Sequence, residues 1–493
     1  MTTVHRVLHP SPITSLAEYL ERGGGRGIET AAELEPQRII ALVRASGLRG
    51  RGGAGYSTGR KWQTVARNRS PVEPSTVVVN GAEGEPGTFK DRTILRTNPY
   101  QVIEGAIIAA KAVRADLVIV ALKRSFEAEC ARVRTAIAEI SAAGWSRGTH
   151  VEVFEGPDEY LYGEESALLE TIQGGYPFPR VAPTFRRGVF KLTVEEAEAS
   201  HDGVRIGSSE VHTTTSAAAA PHVAPALVNN VETMANIPRI VARGPGWFRT
   251  VGTKRAPGTL VCTVTGSTRV HGVGEVRIGT PLREVIEALG GGPRPGRRIK
   301  AVMSGVANPV IPAAHLDIPV SYEGFAAIGS GLGSSGFIVF DDTVDMVAVA
   351  AGTARFLGIE SCGQCVPCKQ DGLVLADLLA KVCRSEGSAH DMAMIRRRLV
   401  TVTDRSRCYL ATQQQNAVGS ILDRFPAEFA AHLDGSAPPV EPELVAELVD
   451  IADGVAVLDE RHRYKRPDWS YDEVYSGKVP AESLPGTPAP WRT

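Results

Sequence analysis

Residues 76–92 read TVVVNGAEGEPGTFKDR, a run of β-branched residues that passes directly into a loop of glycines, acids and one amide. β-Branched residues favour strands, and the glycines after Asn80 end the strand. Downstream, the apolar runs 117–122 (LVIVAL) and 151–155 (VEVFE) alternate with amphipathic segments that predict helices over 101–114, over 125–141 and from about 163. This alternation predicts an α/β layer.

A chain of 493 residues exceeds what one hydrophobic core serves, so we expect about three domains. Several short apolar runs and a short helix at 281–289 predict a mixed β unit, and the next ninety or so residues have helical spacing. The expected division is an N-terminal arm over 1–35, an α/β domain over 36–250 with an insertion near 188–222, the β unit over 256–342, a helical bundle over 343–434, and a C-terminal extension over 435–493. Within the extension, 441–452 reads as a helix, and the rest as a partner-docking arm or a disordered tail.

The composition is that of an ordinary globular protein, with 43% hydrophobic and 22% charged residues and a formal charge of -1. It argues against a disordered chain or a general nucleic-acid binder. The N-terminus has no signal-peptide pattern, and no apolar run is long enough to span a bilayer, so we expect a cytoplasmic protein with no membrane insertion. Four of the seven cysteines lie between Cys362 and Cys383, which suits a metal site in a reducing compartment better than a disulfide framework.

Cys362, Cys365 and Cys368 stand at two-residue spacings in SCGQCVPCK. Such a loop can direct three thiolates at three iron corners of a [4Fe–4S] cubane, and Cys408 is our candidate for the fourth corner. Cys383 is nearer in sequence, but it lies in a helical pattern where a small buried hydrophobe is expected. A structural zinc ion is the competing interpretation, and three buried inert thiols are the plain alternative.

The glycine-rich stretch 47–62 (GLRGRGGAGYSTGRKW) can cradle a phosphate, because glycines allow close backbone approach and Arg51 and Lys61 add positive charge. Gly50 to Gly55 matches G-x-G-x-x-G but follows a helix, so the usual dinucleotide-binding context is missing; a flexible RGG-like segment is the alternative. A second match at 331–336 is interpreted as a turn. The acids and amide of 80–92 can bind a ribose or a flavin edge, or simply be solvated. The paired acids at 164–165 stand at a predicted helix start, where the helix dipole alone favours them.

Five motifs occur in order: GLRGRGGAG (47–55), NGAEGEPGTFKDR (80–92), YGEESALL (162–169), VNNVET (228–233) and SCGQCVPC (361–368). Together they resemble the NADH-binding flavoprotein subunit of respiratory complex I and the related diaphorase subunits of NAD-linked formate dehydrogenases and hydrogenases. The resemblance implies a modified Rossmann-like domain for FMN and NADH, a β-grasp-like (ubiquitin-like) middle domain, and a helical bundle that holds one [4Fe–4S] cluster.

The resemblance also implies a site. FMN is expected at the glycine loop and at polar groups of the later motifs, and the nucleotide beside a set of acids and aromatic rings. The implied FMN residues are Gly50, Arg51, Gly52, Gly53, Ala54, Gly55, Lys61, Asn80, Tyr160, Gly163, Glu164, Asn229 and Asn230, and the implied nucleotide-side residues are Tyr56, Glu83, Glu85, Glu165 and Phe185. No side chain is expected as a catalytic acid or base, because the cofactor carries the hydride chemistry.

Three departures from the family pattern remove polar groups near the cofactors: Ala82 replaces an acid, Ala182 a common lysine, and Ala226-Leu227 a pair of threonines. The leading hypothesis is an NADH dehydrogenase or diaphorase-type subunit that passes electrons from NAD(H) through FMN to a [4Fe–4S] cluster, in a soluble NAD-linked formate dehydrogenase or hydrogenase or at the cytoplasmic face of complex I. The expected partners are a thioredoxin-like [2Fe–2S] subunit and a larger iron–sulfur or catalytic subunit. The alternative is a relay or scaffold subunit whose nucleotide site is degenerate.

Overall fold

A computed structural model describes residues 4–71, 73–186, 188–189, 224–485 and 489–491. Most of the predicted insertion, residues 190–222, therefore lies outside the described residues. The helices and strands of the N-terminal half are α1 (Leu16–Glu21), α2 (Arg26–Ala32), α3 (Pro36–Ser46), α4 (Thr58–Arg67), β1 (Ser75–Asn80), α5 (Lys90–Thr97), α6 (Pro99–Val113), β2 (Ala115–Lys123), α7 (Glu127–Ala142), β3 (His150–Gly156), α8 (Glu165–Ile172), β4 (Ala226–Asn230) and α9 (Val231–Phe248).

Four parallel strands form the first sheet, in the order β3-β2-β1-β4. Alternate valines of β1 face opposite cores: Val77 and Val79 pack on one side with α3, α4, α6, α7 and α9, and Val78 packs on the other side with α8. A sheet buried on both faces needs the continuous β-branched runs that the sequence contains. The predicted α/β class with a Rossmann-like sheet is confirmed.

The second sheet has five strands and a single helix of more than two turns packed on it. Its order is β6-β5-β9-β7-β8, with β5 parallel to β9 and the other pairs antiparallel. Two central parallel strands flanked by two hairpins are the arrangement of a β-grasp unit. The elements are β5 (Thr259–Gly266), β6 (Gly272–Arg277), α10 (Leu282–Gly290), β7 (Ile299–Ser304), β8 (Ile311–Pro312), α11 (Tyr322–Ala327) and β9 (Gly336–Asp341).

Five helices then form the predicted bundle, and their buried faces share one core with Cys383 and with the cluster cysteines Cys362 and Cys368. Gly358 on the first helix and Gly372 on the second allow these helices to approach closely, since a Cβ at Gly372 would lie 3.2 Å from the Cα of Gly358. The helices are α12 (Met346–Glu360), α13 (Val366–Cys383), α14 (Ala389–Thr401), α15 (Leu410–Arg424) and α16 (Pro426–Leu433).

Both ends of the chain pack on the body. Ile13 and Tyr19 of the expected N-terminal arm are buried in the core of the first sheet, and Tyr19 donates a hydrogen bond to Glu104 (2.7 Å). The helix expected over 441–452 is wrong: these residues enter a hairpin of β10 (Leu448–Ala452) and β11 (Val455–Leu458). Asp453 and Gly454 have φ of 50° and 76°, the two-residue type I′ turn that Asp-Gly favours between β-branched runs.

Beyond the hairpin, the extension continues as a 3₁₀ turn (Glu460–Arg463) and a last short helix, α17 (Pro480–Ser483). Across the described residues, no helix has both the length and the apolar character needed to cross a membrane.

Candidate flavin cavity and cysteine site

A large cavity lies where the strand order of the first sheet reverses. The chain moves from β1 to β2 and β3 on one side, and then returns to place β4 on the other side of β1. Loops that leave β1 and β4 diverge at this point, and parallel sheets bind ligands in the resulting crevice. Asn80 and Asn230 are register partners at these two strand ends. A cavity of 680 Å³ opens there, within the range of a small-molecule cofactor site.

The glycine loop forms one wall of this cavity and is ordered by backbone contacts. Gly50 N–H donates to the carbonyl of Tyr56 (2.8 Å), and Thr58 N–H donates to that of Leu48 (3.0 Å). Gly55 has φ of 61°, and a Cβ on it would lie 2.3 Å from the Tyr322 ring. The flexible RGG-like alternative is therefore wrong, and a glycine is needed at Gly55 for both its conformation and its close approach.

Sixteen of the eighteen cofactor residues implied by the resemblance line this one cavity. They are Gly50, Gly52, Gly53, Ala54, Gly55, Tyr56, Lys61, Asn80, Glu83, Glu85, Tyr160, Gly163, Glu164, Glu165, Asn229 and Asn230. Arg51 and Phe185 are not among the lining residues. Phe185 instead packs against the core of the first sheet and has the Arg186 guanidinium 5.8 Å from its ring centroid.

Arg51 turns away from the cavity into a buried network of charges. Its guanidinium lies 3.7 Å from Glu232 and donates to Tyr322 (3.3 Å), and its side chain is inaccessible to solvent. The positive charge that the sequence suggested for a phosphate is thus already paired inside the protein. Lys61 remains at the cavity wall, where it forms an ion pair with Glu165 (2.5 Å).

Lys90 is the centre of that network, and sequence reasoning did not select it. Its ammonium contacts Asp91 (2.7 Å), Glu232 (3.1 Å) and the Asn230 side-chain carbonyl (3.1 Å). Asn230 in turn donates its amide to Asp91 (2.6 Å), which fixes the orientation of the side chain at the cavity. Burial raises the pKa of Asp91 to about 6. The KDR triplet at 90–92 was the sequence feature that could have indicated this network, because adjacent opposite charges near a buried strand can form ion pairs inside the protein.

The acids of the cavity are also held by specific partners. Glu85 accepts hydrogen bonds from Tyr160 (2.5 Å) and from the amide of Val306 (2.7 Å), and Gln413 donates to the Tyr160 hydroxyl (2.8 Å). Burial raises the pKa of Glu85 above its usual range. Glu164 caps α8 by accepting from the backbone amides of the first turn. Gln413 had no sequence signal, because it reaches the cavity from the helical bundle.

Glu83 lines the cavity and is also paired within the protein. Its carboxylate accepts the amide of Asp91 (3.0 Å) and the guanidinium of Arg92 (3.1 Å), so its charge is neutralised within the protein. Both Glu83 and Arg92 are buried, which makes this a structural pair at the edge of the cavity.

The four predicted cysteines, Cys362, Cys365, Cys368 and Cys408, line a second, smaller cavity. The first three lie at the start of α13 and the fourth in the turn before α15, so the bundle supplies the long-range contact that the sequence could not. Within the described residues, no three His, Cys, Asp or Glu side chains are close enough to hold a single metal ion. Zinc would draw thiolates to within about 4 Å of each other, given a Zn–S bond of about 2.3 Å, whereas a cubane spreads them over separate iron atoms. Four cysteine thiols around one cavity are the donor set of a [4Fe–4S] cluster.

Burial also governs the protonation of these thiols. It raises the pKa of Cys368 to about 11 and that of Cys408 to about 12. Without a metal, the Cys368 and Cys408 thiols are therefore neutral near pH 7, and ligation must release their protons. Lys369 donates to the carbonyls of Gly358, Ile359 and Ser361 at 2.9–3.0 Å, which fastens the cysteine loop to the end of α12.

The two cavities share a wall. Leu161, Cys408 and Leu410 line both the large cavity and the cysteine cavity. Cys408 is therefore the cysteine that faces both cavities, and Leu161 and Leu410 form the other parts of the shared wall.

Comparisons with known proteins match both parts of this arrangement. The family model of the Nuo51 FMN-binding domain matches residues 43–239, and that of the NADH-ubiquinone oxidoreductase-F iron-sulfur binding region matches residues 348–432. The second F-type subunit of the NADH-quinone oxidoreductase of Rhizobium meliloti is 34% identical over 429 residues, covering 85% of this chain and 94% of that protein.

Two hydrogenase subunits are also similar. The NADP-reducing hydrogenase subunit HndC of Solidesulfovibrio fructosivorans is 30% identical, over 86% of this chain and 82% of its own length. A chain in the crystal structure of an NAD⁺-reducing [NiFe]-hydrogenase in the H₂-reduced state has a TM-score of 0.71 at 28% identity, covering 88% of this chain and 68% of that chain.

These findings confirm the predicted resemblance and the predicted cofactors, FMN, NAD(H) and a [4Fe–4S] cluster. They also confirm that the chain is an oxidoreductase component. The α/β domain with its glycine loop and the bundle with its cysteines thus identify the chain as a member of the F-type subunit family of NADH-quinone oxidoreductases, whose members bind FMN and an iron–sulfur cluster.

Proposed function

We propose that this chain is the NAD(H)-linked electron-transfer module of a multisubunit complex. When bound, FMN exchanges a hydride with NAD(H) and passes electrons singly to the iron–sulfur cluster. The observation that carries this proposal is the partition of Leu161, Cys408 and Leu410, which puts the flavin cavity and the cysteine cavity side by side. Two redox sites separated by single side chains are arranged for electron transfer, not for separate functions.

The glycine loop supports the placement of FMN. The large cavity has room for the cofactor, and its wall at Gly52, Gly53 and Gly55 has no side chains to fill it. A Cβ at Gly52 would lie 3.3 Å from Asn230 and narrow the cavity beside the loop. We assign the phosphate end to this loop and to Lys61, and the ring to the strand-end amides Asn80, Asn229 and Asn230 with Tyr160, Gly163 and Glu164.

The nucleotide side is assigned to Tyr56, Glu85 and Glu165. The Tyr56 side chain is exposed at the cavity mouth, where it can stack on a base or nicotinamide ring. Glu165 is half-exposed and paired with Lys61, so its carboxylate is available to a ligand hydroxyl once that pair opens. Ala82 is buried at the same cavity. Because it replaces the acid of the family pattern, this position leaves extra room and offers no polar side-chain contact.

A second candidate is an electron relay whose nucleotide site is degenerate. Phe185 outside the cavity lining and the apolar Ala82 favour it. The deciding experiment is to purify the native assembly, measure flavin and iron per chain, and follow NADH oxidation with an uncharged small quinone as acceptor. Flavin together with NADH-driven quinone reduction supports the module; a bound cluster with no flavin rejects it in favour of the relay.

Lys61→Met provides a sharper test of the phosphate end. We expect the affinity for FMN to fall about 10- to 100-fold, because a charge-assisted hydrogen bond contributes about 1.5–3 kcal/mol. Riboflavin, which has no phosphate, should bind the variant and the wild type equally. Flavin fluorescence titration of the apo-protein measures both affinities. A loss of equal size for the two flavins would mean that Lys61 shapes the cavity only through Glu165, and the phosphate assignment would be wrong.

The names of the similar proteins support an assembly with other subunits, since they are subunits of quinone oxidoreductases and hydrogenases. We propose a partner with a thioredoxin-like [2Fe–2S] domain and a larger iron–sulfur or catalytic subunit, in an NAD-linked formate dehydrogenase or hydrogenase or in complex I. Cysteines left as thiols for metal binding suit a reducing compartment, and we place the complex in the cytoplasm or at its membrane face. Identifying the co-purified subunits tests this assignment.

A further inference from the structure

The C-terminal extension, residues 435–493, lies outside both family models that match the chain, yet it packs against the cysteine loop. Its Ala481 amide donates to the carbonyl of Cys362 (2.9 Å). Trp469 donates its indole N–H to the carbonyl of Ile359 (3.0 Å), near the end of α12. The extension contains no cysteine, so it can affect the proposed cluster only through the groups that it places around the loop.

The extension also brings two basic side chains to the end of α12. The Lys465 ammonium lies 2.7 Å from the Glu360 carboxylate, and a ring nitrogen of His462 lies 3.0 Å from the same group. The side chains of Lys465 and Glu360 are only 6% and 3% exposed, so water does not screen their charges. Burial raises the pKa of Glu159, the other acid that interacts with Lys465, which favours its neutral form. Glu360 stands two residues before Cys362.

A second buried lysine follows Cys368 directly. The Lys369 ammonium donates to three backbone carbonyls at 2.9–3.0 Å, and within the described ranges it forms no ion pair. Glu360 attracts the Lys369 charge, but its carboxylate is in contact with Lys465. The group of Glu360, Lys369 and Lys465 therefore carries a net positive charge beside the cysteine loop.

Positive charge at this place favours the reduced form of an iron–sulfur cluster. Reduction adds one negative charge to the cluster, and the net charge around a cluster is among the factors that set its reduction potential. Salt screens buried charges much less than exposed ones, so the effect extends from the ion pair to the cysteine loop. The charge state of the group around Glu360 should therefore be visible in the potential.

We propose that Lys465 raises the reduction potential of the [4Fe–4S] cluster by neutralising Glu360, which leaves the charge of Lys369 uncompensated beside the cysteine loop. Lys465 is thus a positioning residue that acts through Glu360. The proposal rests on the function given above, and it adds a residue outside both family models that controls how readily the cluster accepts an electron. Lys465 forms and breaks no bond; it shifts only the equilibrium between the oxidised and the reduced cluster.

The test is a potentiometric titration of the iron-loaded holoprotein, with the EPR signal of the reduced cluster as the readout. Lys465→Met should lower the midpoint potential, because Glu360 then neutralises Lys369. We expect the reduction equilibrium to shift about tenfold, which is about 59 mV for one electron. Lys465→Arg keeps the charge and should have the wild-type potential. Substitutions are preferred to truncation, since truncation also changes the solvent exposure of Cys362.

Glu360→Gln should give the opposite change, and it keeps the test decisive if Lys465→Met fails to hold iron. Removal of the carboxylate should raise the midpoint potential, because both lysines are then uncompensated. The double variant of Lys465→Met with Glu360→Gln has the same net charge as the wild type, so its potential should return to the wild-type value. A purely structural role of the pair would not produce shifts of opposite sign.

The matched control is Lys381→Met, which breaks an ion pair with Asp391 (2.9 Å) farther along α13 and should leave the potential unchanged. An unchanged potential in Lys465→Met, shifts of the same sign in Lys465→Met and Glu360→Gln, or an equal shift in the control would each overturn the role of Lys465. Loss of iron from both single variants would do the same, and all these results leave the proposed function standing. An assembly with no reducible cluster would overturn both.

Discussion

Cys408→Ala is expected to remove the iron–sulfur cluster while leaving the flavin site occupied. Cys408 is the proposed ligand from outside the SCGQCVPC loop, and it forms part of the wall toward the flavin cavity. A cubane that loses one of its four thiolates is exposed to loss of iron. Iron per chain should fall from about four to well below one, and the broad charge-transfer absorbance near about 400 nm should disappear. NADH should still reduce the bound flavin.

Cys383→Ala is the matched control, because Cys383 is buried in the same bundle core and was the rival candidate in sequence. Its substitution removes one buried sulfur and should cost about 1 kcal/mol of unfolding free energy without loss of iron. Iron retained in Cys408→Ala, or lost equally in Cys383→Ala, would contradict the ligand assignment.

Lys90→Met should have the largest effect on stability among substitutions near the flavin cavity. The ammonium is buried and contacts both Asp91 and Glu232, so its removal leaves two carboxylates without their main partner. Breaking a buried ion pair from one side costs about 3–5 kcal/mol. We expect a clearly lower midpoint in denaturant unfolding, and loss of FMN, because the Asn230 side chain loses the contact that orients it at the cavity.

Lys111→Met is the control for the loss of one lysine. Its ammonium donates to the carbonyl of Ala32 at the surface and has no carboxylate partner among the described residues. Surface changes of this kind stay within about 0.5 kcal/mol. Equal stability of Lys90→Met and Lys111→Met would show that the buried network does not hold the cavity together.

Several features could be predicted from local sequence because their causes are local. β-Branched runs buried on both faces indicated the strands of the first sheet, and the spacing of Cys362, Cys365 and Cys368 indicated the loop that presents three thiols. The choice of Cys408 over Cys383 also followed from sequence, since one lies in a turn and the other in a helix that buries it.

One segment was misjudged because the competing signals were close. The segment at 441–452 has apolar residues that fit a helix, but the Asp453-Gly454 turn and the valines that follow it favour a hairpin. Arg51 carries a charge suited to a phosphate, yet the fold places Glu232 beside it and turns it inward. Whether a charge faces a cavity or a buried partner depends on residues far away in sequence.

The sequence by itself determined the alternating strands and helices of the α/β domain, the glycine loop, the cysteine loop and the resemblance that led to FMN, NAD(H) and a [4Fe–4S] cluster. Only the tertiary structure decided which groups meet: the partition of Leu161, Cys408 and Leu410, the buried partners of Lys90, and the C-terminal segment whose Ala481 amide donates to the carbonyl of Cys362. The physical reason is that periodicity and turn chemistry act over a few residues, whereas the pairing of buried charges and the closure of a cavity depend on contacts between segments hundreds of residues apart.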